Sequence, residues 1–204
     1  MRWWTAPFPA IEAALPGAGR ILEIGCGHGL FCTFAALSSD GRNVVGVDID
    51  RDKIAQAQQV AAELAGTDLR FEVADSGAVA AGPWDAIVVV DMLYLLPAEQ
   101  QRALLTAAAA ELAPGGALLV KEMSDTPTWK ARWNVLQETL AVSVLGITER
   151  ATAPGPAAAA GQRFAFVTPE VMARWLADIG LRTCMRRLDR HRLHPHHLLI
   201  ARLR

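Results

Sequence analysis

The chain has 204 residues, 52% of them hydrophobic, and a formal net charge of -1. That is enough for one sizeable core, too apolar for a disordered chain, and too near neutral for a global pull toward nucleic acid or an anionic membrane surface. Cys26, Cys32 and Cys184 fall at no metal-ligand spacing, no signal peptide is read before Pro7, Pro9 and Glu12, and no apolar run approaches the roughly 20 residues of a membrane span. These features predict a cytoplasmic protein with free thiols, folded as one domain over residues 1–204.

In chain order, residues 7–15 predict a short helix carrying Phe8, Ile11 and Leu15, stopped by Pro16 and Gly17. The apolar run Ile21, Leu22, Ile24 predicts a buried strand from Arg20 to Ile24. A helix over about 30–37, a strand over Val44 to Val47 and a helix bearing Ile54, Ala57, Ala61 and Leu64 follow. Leu69, Phe71 and Val73 alternate as a third strand. Gly82-Pro83 precedes a fourth, Trp84 to Val90. Pro97 opens a helix running to Leu112, Ala113-Pro114-Gly115-Gly116 breaks it, and Ala117 to Val120 is the fifth strand, leading to Lys121 and Glu122.

Five strand–helix alternations predict an α/β fold with a doubly wound, mostly parallel sheet, whose ligands bind beyond the carboxyl ends of the strands. The first strand breaks there into RILEIGCGHG, with glycines at 25, 27 and 29. A Gly-x-Gly-x-Gly turn lets a ligand lie against main-chain N–H groups and the start of the next helix. Strands two to five each run into an acid, Asp48, Asp75, Asp91 and Glu122; four in series beside the glycine turn predict a lined pocket, while any single one also reads as part of a solvated rim.

The string Glu23-x-Gly25-x-Gly27-x-Gly29 resembles the first motif of the class I S-adenosylmethionine-dependent methyltransferases. The nicotinamide fingerprint differs, since its last glycine would fall at Leu30. The resemblance spans about residues 18–122 and implies S-adenosylmethionine as cofactor. It implies that Glu23, Gly25, Cys26, Gly27 and Gly29 build the cofactor turn. In VVGVDID it places Asp48 on the ribose hydroxyls and Ile49 on the adenine face; in FEVADS it places Asp75 and Ser76 at the adenine amino group. His28 departs from the family's usual small hydroxyl residue, and either lines the methionine end of the pocket or is a loop side chain. Asp91 is a further contact for the methionine end. The resemblance also implies a seven-stranded sheet of order 3-2-1-4-5-7-6, closed by an antiparallel pair.

Beyond the fifth strand, Trp129, Trp133, Leu136, Leu140 and Val144 form an apolar helical stripe. The stripe either docks on the sheet or, near Trp129, Lys130 and Trp133, roofs the methyl-acceptor site as part of an insert over about 123–165. The segment KEMSDTPTWKARWNVLQE resembles bacterial methyltransferases associated with aryl-polyene pigment pathways, and the run 153–161 reads as a loop. Thr168, Pro169 and Glu170 open a helix closed by Gly180, and strands over about 181–188 and 197–203 follow. Arginines 182, 186, 187, 190, 192, 202 and 204 make this end basic: a solvated hairpin face, or a docking patch for an acidic carrier protein. His194, His196 and His197 lack flanking carboxylates or cysteines at ligand spacing, so no metal is expected.

The functional expectation is methyl transfer from S-adenosylmethionine to a small-molecule acceptor of aromatic or polyketide type, with carbon, oxygen and nitrogen all open. Glu122 is the expected base or acceptor-orienting group and Tyr94 a pocket wall, with Asp91 and, more distantly, His194 as other candidates. The rivals are a non-catalytic cofactor-binding partner subunit and a nicotinamide oxidoreductase.

Overall fold

The computed structural model describes residues 7–75, 77–123, 165–188 and 196–203. The tryptophan stripe and acceptor roof, the loop over 153–161, Ser76 and His194 lie outside the described residues.

The elements are α1 (Phe8–Glu12), β1 (Gly19–Ile24), α2 (Leu30–Leu37), β2 (Arg42–Asp48), α3 (Arg51–Glu63), β3 (Asp68–Val73), β4 (Trp84–Val90), a 3₁₀ turn (Leu93–Leu95), α4 (Ala98–Ala110), β5 (Leu112–Met123), α5 (Pro169–Asp178), β6 (Leu181–Arg187) and β7 (His196–Leu203). The seven strands form one sheet in the order β3-β2-β1-β4-β5-β7-β6. Strands β1 to β5 pair in parallel, while β7 runs antiparallel to both β5 and β6. This is the order that the methyltransferase resemblance implies.

Burial follows from the layering. Ile21, Val44, Phe71, Val88 and Leu119 face one core with Phe8, Ile11, Phe31 and Ile54 from the helices. Leu22, Val45, Ile87 and Leu118 face the other, with Leu104, Leu105, Met172 and Leu176. Strands covered on both sides read as nearly unbroken apolar runs, whereas edge strand β3 alternates. The chain leaves β3 at one edge and re-enters beside β1 as β4, so β2 and β4 flank β1. The crevice at this reversal is where sheets of this kind take ligands.

Two local readings need correction. The helix expected to reach Leu112 ends at Ala110, and Leu112 already opens β5, opposite Trp84. Ala113-Pro114-Gly115-Gly116 is therefore an irregularity within β5: the pairing slips from Trp84–Leu112 to Ala86–Ala117. A side chain at Gly116 would stand 2.7 Å from the Trp84 carbonyl oxygen, so glycine lets the two backbones close up. The 3₁₀ turn at Leu93–Leu95 was not read at all, because a single turn is too short to show a period.

Gly29 shows how tightly the glycine turn is held. Its φ is +72°, and a Cβ there would run into the Phe71 ring and lie 3.2 Å from Ala57 Cβ. Left-handed strain and overpacking act together, so Gly29→Ala should lower stability by roughly 2–4 kcal/mol. A urea titration checks this, and an unchanged midpoint would mean that β3 and α3 give way freely.

Candidate active site

Two groups of residues meet at the carboxyl edge of the sheet. The first is the glycine turn. Gly25, Gly27 and Gly29 have φ of 75°, 57° and 72°, so side chains would be strained at all three. The Gly25 and Cys26 N–H groups donate to Val47 O, at 2.8 and 3.0 Å, which ties the turn to the end of β2. Asp48 completes that tie. Its Oδ2 accepts the Gly27 N–H at 2.7 Å and its Oδ1 accepts the Asp50 N–H at 2.9 Å. Each oxygen keeps acceptor capacity beyond these single bonds.

Asp50 has a different task. It caps α3, accepting from Asp52 N and Lys53 N at 3.1 Å each, and its carboxyl lies below the usual range chiefly through the hydrogen bond from Lys53. Ala74 N–H donates to Asp48 O at 3.0 Å, which draws the end of β3 and the exposed Asp75 to the same edge. Ile49, 57% exposed, and His28, also exposed, flank the turn.

Glu23 lies beneath the turn rather than on its open side. It is buried and accepts the Cys32 thiol at 2.8 Å. Burial pushes that thiol well above its ordinary range, and Cys26 and Glu23 add to the effect. Cys26 is buried as well.

The second group gathers where β4 ends beside β5. Asp91 turns the chain with φ 49° and donates its N–H to Lys121 O at 2.9 Å. Lys121 is fully buried, and its ammonium donates to Asp91 Oδ2. Glu122, also buried, uses Oε1 to accept the Met92 and Leu93 N–H groups at 2.9 and 2.8 Å. Its Oε2 and Asp91 Oδ1 are buried without a hydrogen-bond partner among the described residues. Burial, helped by the Asp91 charge, raises the Glu122 pKa to about 8, against the opposing pull of the two amides and Lys121.

The two groups touch through Met92: a Cβ on Gly25 would lie 2.7 Å from Met92 Cγ. Tyr94 stacks on Phe166, with ring centroids 5.5 Å apart, and its carbonyl accepts the Ala165 N–H at 2.9 Å. The buried Gln101 amide donates to Leu96 O at 2.9 Å and Ala165 O at 2.7 Å. The chain at residues 165–166 is thereby fixed against the 3₁₀ turn. The structure thus brings Gly25, Gly27, Gly29, Asp48, Asp91, Tyr94 and Glu122 to one edge. Lys121 and Gln101 escaped the sequence reading. The available signal for Lys121 was a cation closing an apolar strand, since such a group must be paired when buried.

A family model described as a methyltransferase domain matches residues 4–184. The chain belongs to the methyltransferase-domain family. S-Adenosylmethionine is the cofactor of that family, and the features here fit it: a backbone turn without side chains in the way, and a carboxylate with spare acceptor capacity beside it. The Ubiquinone biosynthesis O-methyltransferase of Xanthomonas campestris pv. campestris is 31% identical over 144 residues, covering 62% of this chain and 58% of its own length. That of Xanthomonas axonopodis pv. citri is 27% identical over 197 residues, 88% of this chain and 75% of its own. The chain thus spans less than two thirds of the first of these relatives. Among solved structures, the magnesium protoporphyrin IX methyltransferase of Synechocystis PCC 6803 with bound SAH superposes with a TM-score of 0.71 at 19% identity, over 97% of this chain and 82% of that one. The mitomycin 7-O-methyltransferase gives 0.70 at 16%, over 97% and 53%. At these identities the structural matches speak for the fold.

Among the described residues of this methyltransferase domain, no three His, Cys, Asp or Glu side chains cluster to hold a metal ion. No described helix is long and apolar enough to cross a membrane.

The raised Glu122 pKa has a consequence for stability. Between pH 4.5, the ordinary value, and about 8, the folded protein keeps a proton that the unfolded chain has lost. Stability from this group is complete below pH 4.5 and is lost as pH rises through that window, by an amount on the order of a few kcal/mol. Thermal melts from pH 5 to 9 should show this decline in wild type and a flatter profile in Glu122→Gln. Parallel profiles would mean that Glu122 titrates as it does in the unfolded chain.

Proposed function

We propose that this protein transfers the methyl group of S-adenosylmethionine to a hydroxyl of a small aromatic or polyketide-type acceptor. The observation that carries this reading is the junction of the two groups at Met92: a cofactor turn and a buried carboxyl with a near-neutral pKa, held against one another. The names of the Xanthomonas relatives favour oxygen over carbon or nitrogen as the accepting atom. The likeness of residues 121–138 to aryl-polyene-pathway methyltransferases favours an extended aromatic acceptor, free or bound to a carrier protein, in secondary metabolism. Three free cysteines fit work in the reducing cytoplasm.

In this reading Asp48 accepts from the ribose hydroxyls, Ile49 covers one face of the adenine, and Asp75 with Ser76 faces its amino group. Gly25 to Gly29 pass their backbone beneath the ligand, with Cys26 packed inside the turn, Glu23 bracing it from below and His28 at the methionine end. Asp91 takes the methionine end from the other side. The bound sulfonium supplies an electrophilic methyl group, so the protein's part is alignment and proton removal. Glu122 orients the corner through Oε1 and takes the acceptor's proton on Oε2. Tyr94 walls the acceptor side.

Calorimetry with S-adenosylmethionine, followed by transfer of labelled methyl from it to a panel of phenols, tests the reading. Binding followed by turnover is expected. Binding without turnover on any acceptor would point to the non-catalytic partner subunit, and binding of a nicotinamide cofactor instead would overturn the assignment.

A further inference from the structure

Lys121 has no exposed surface and stands on the face of the sheet that also carries Ala117 and Leu119. Its register partners, Val90 on β4 and Leu198 on β7, are apolar. An ammonium in such surroundings is costly unless paired and hydrogen-bonded. Its ion-pair partner is Asp91, and the pairing is double: the ammonium donates to Oδ2, and the Lys121 carbonyl accepts the Asp91 N–H at 2.9 Å. Asp91 is the one described non-glycine residue with positive φ. Side chains alternate along a strand, so Glu122 points to the opposite face. From there it binds the next two amides, Met92 and Leu93. Two adjacent β5 residues thus grip one three-residue corner from both faces of the sheet, and the middle residue of that corner lies against Gly25.

We propose that Lys121 is a positioning residue of the site: its ammonium holds Asp91 in the left-handed corner that presents the Met92 and Leu93 amides to Glu122 and lays Met92 on the glycine turn. This rests on the methyltransferase reading above. Around Glu122, the ionisable neighbours among the described residues include Asp91 at the end of β4, Lys121 on β5, His197 directly opposite on β7, and Arg187 opposite His197 on β6. On the Lys121 face a further buried carboxylate is Glu23 on β1, which accepts the Cys32 thiol.

The test compares Lys121→Arg and Lys121→Met for S-adenosylmethionine affinity and for the pH midpoint of Glu122 deprotonation in the folded protein, read where the stability decline levels off. Lys121→Met should bind the cofactor about tenfold more weakly, because the corner loses its charge-assisted hold. Its midpoint should move above the wild-type value of about 8, since Lys121 is one of the groups lowering the Glu122 pKa. Lys121→Arg should stay within about threefold of wild type and keep the midpoint, because the charge remains. If Lys121 merely packs its stem, Lys121→Met is the mild change, and unchanged affinity with an unchanged midpoint would overturn the proposal. Should Lys121→Met fail to fold, the same change in an Asp91→Asn background decides. Recovery of folding there supports the pair, and continued failure overturns it. A wild type that binds no S-adenosylmethionine would sink the functional reading, while the pH midpoint would still report on the grip itself.

Discussion

Glu122→Gln should lower the methyl-transfer rate by about 10²–10⁴-fold while leaving cofactor affinity within about twofold. Glutamine keeps an oxygen where Glu122 Oε1 accepts the Met92 and Leu93 amides, so the corner retains its two bonds. What disappears is the basicity at Oε2, the buried oxygen without a hydrogen-bond partner among the described residues. A base must be ionised to accept a proton, and the Glu122 carboxyl loses its own at about pH 8. The wild-type rate should therefore rise with pH through that value, and the variant should lack the inflection. Initial rates with labelled S-adenosylmethionine from pH 6 to 9 check both. A variant as fast as wild type across that range would leave alignment alone as the source of catalysis and Glu122 as the anchor of a turn.

Asp48→Ala should weaken S-adenosylmethionine binding by about 10–100-fold, as expected when a charge-assisted acceptor worth roughly 1.5–3 kcal/mol is lost. Two effects act in the same direction. The ribose hydroxyls lose their acceptor, and the Gly27 N–H, now held at 2.7 Å by Asp48 Oδ2, is released, so the turn is less ordered before the ligand arrives. Asp48→Asn separates them, because its side-chain oxygen can still accept from Gly27 without carrying charge; its affinity should fall between wild type and Asp48→Ala. Calorimetry on folded variants measures all three. Wild-type affinity in Asp48→Ala would remove this residue from the cofactor site.

Much of the parallel sheet was legible in the sequence because β1, β2 and β4 are short, largely apolar and stopped by glycine or acid, and β3 alternates. The doubly covered strands β1, β2 and β4 announce themselves by composition, and the glycine turn by the spacing of Gly25, Gly27 and Gly29. The order of the strands came from the family resemblance and not from periodicity. Local patterns failed where long-range contact decides conformation. Leu112 continues an alanine-rich helical run by composition, yet it pairs with Trp84 because β4 offers an open ladder there. Local pattern alone does not tell Asp48 from Asp50, two acids on either side of Ile49; the family resemblance is what singles out Asp48. Only the fold sends one to the Gly27 amide and the other to the start of α3.

The sequence by itself thus determined which residue types end each strand, and hence that acids and glycines collect at one edge. The tertiary structure decided what those acids do. Lys121 and Glu122 are neighbours along one strand, but pleating sends them to opposite faces, one to the carboxylate of Asp91 and the other to two backbone amides thirty residues or so away. Burial then sets their chemistry, since a carboxyl that is ordinary in water holds its proton to about pH 8 once the sheet and its covering layers exclude solvent. No local pattern encodes that, because the dielectric around a side chain is made by residues distant in the chain.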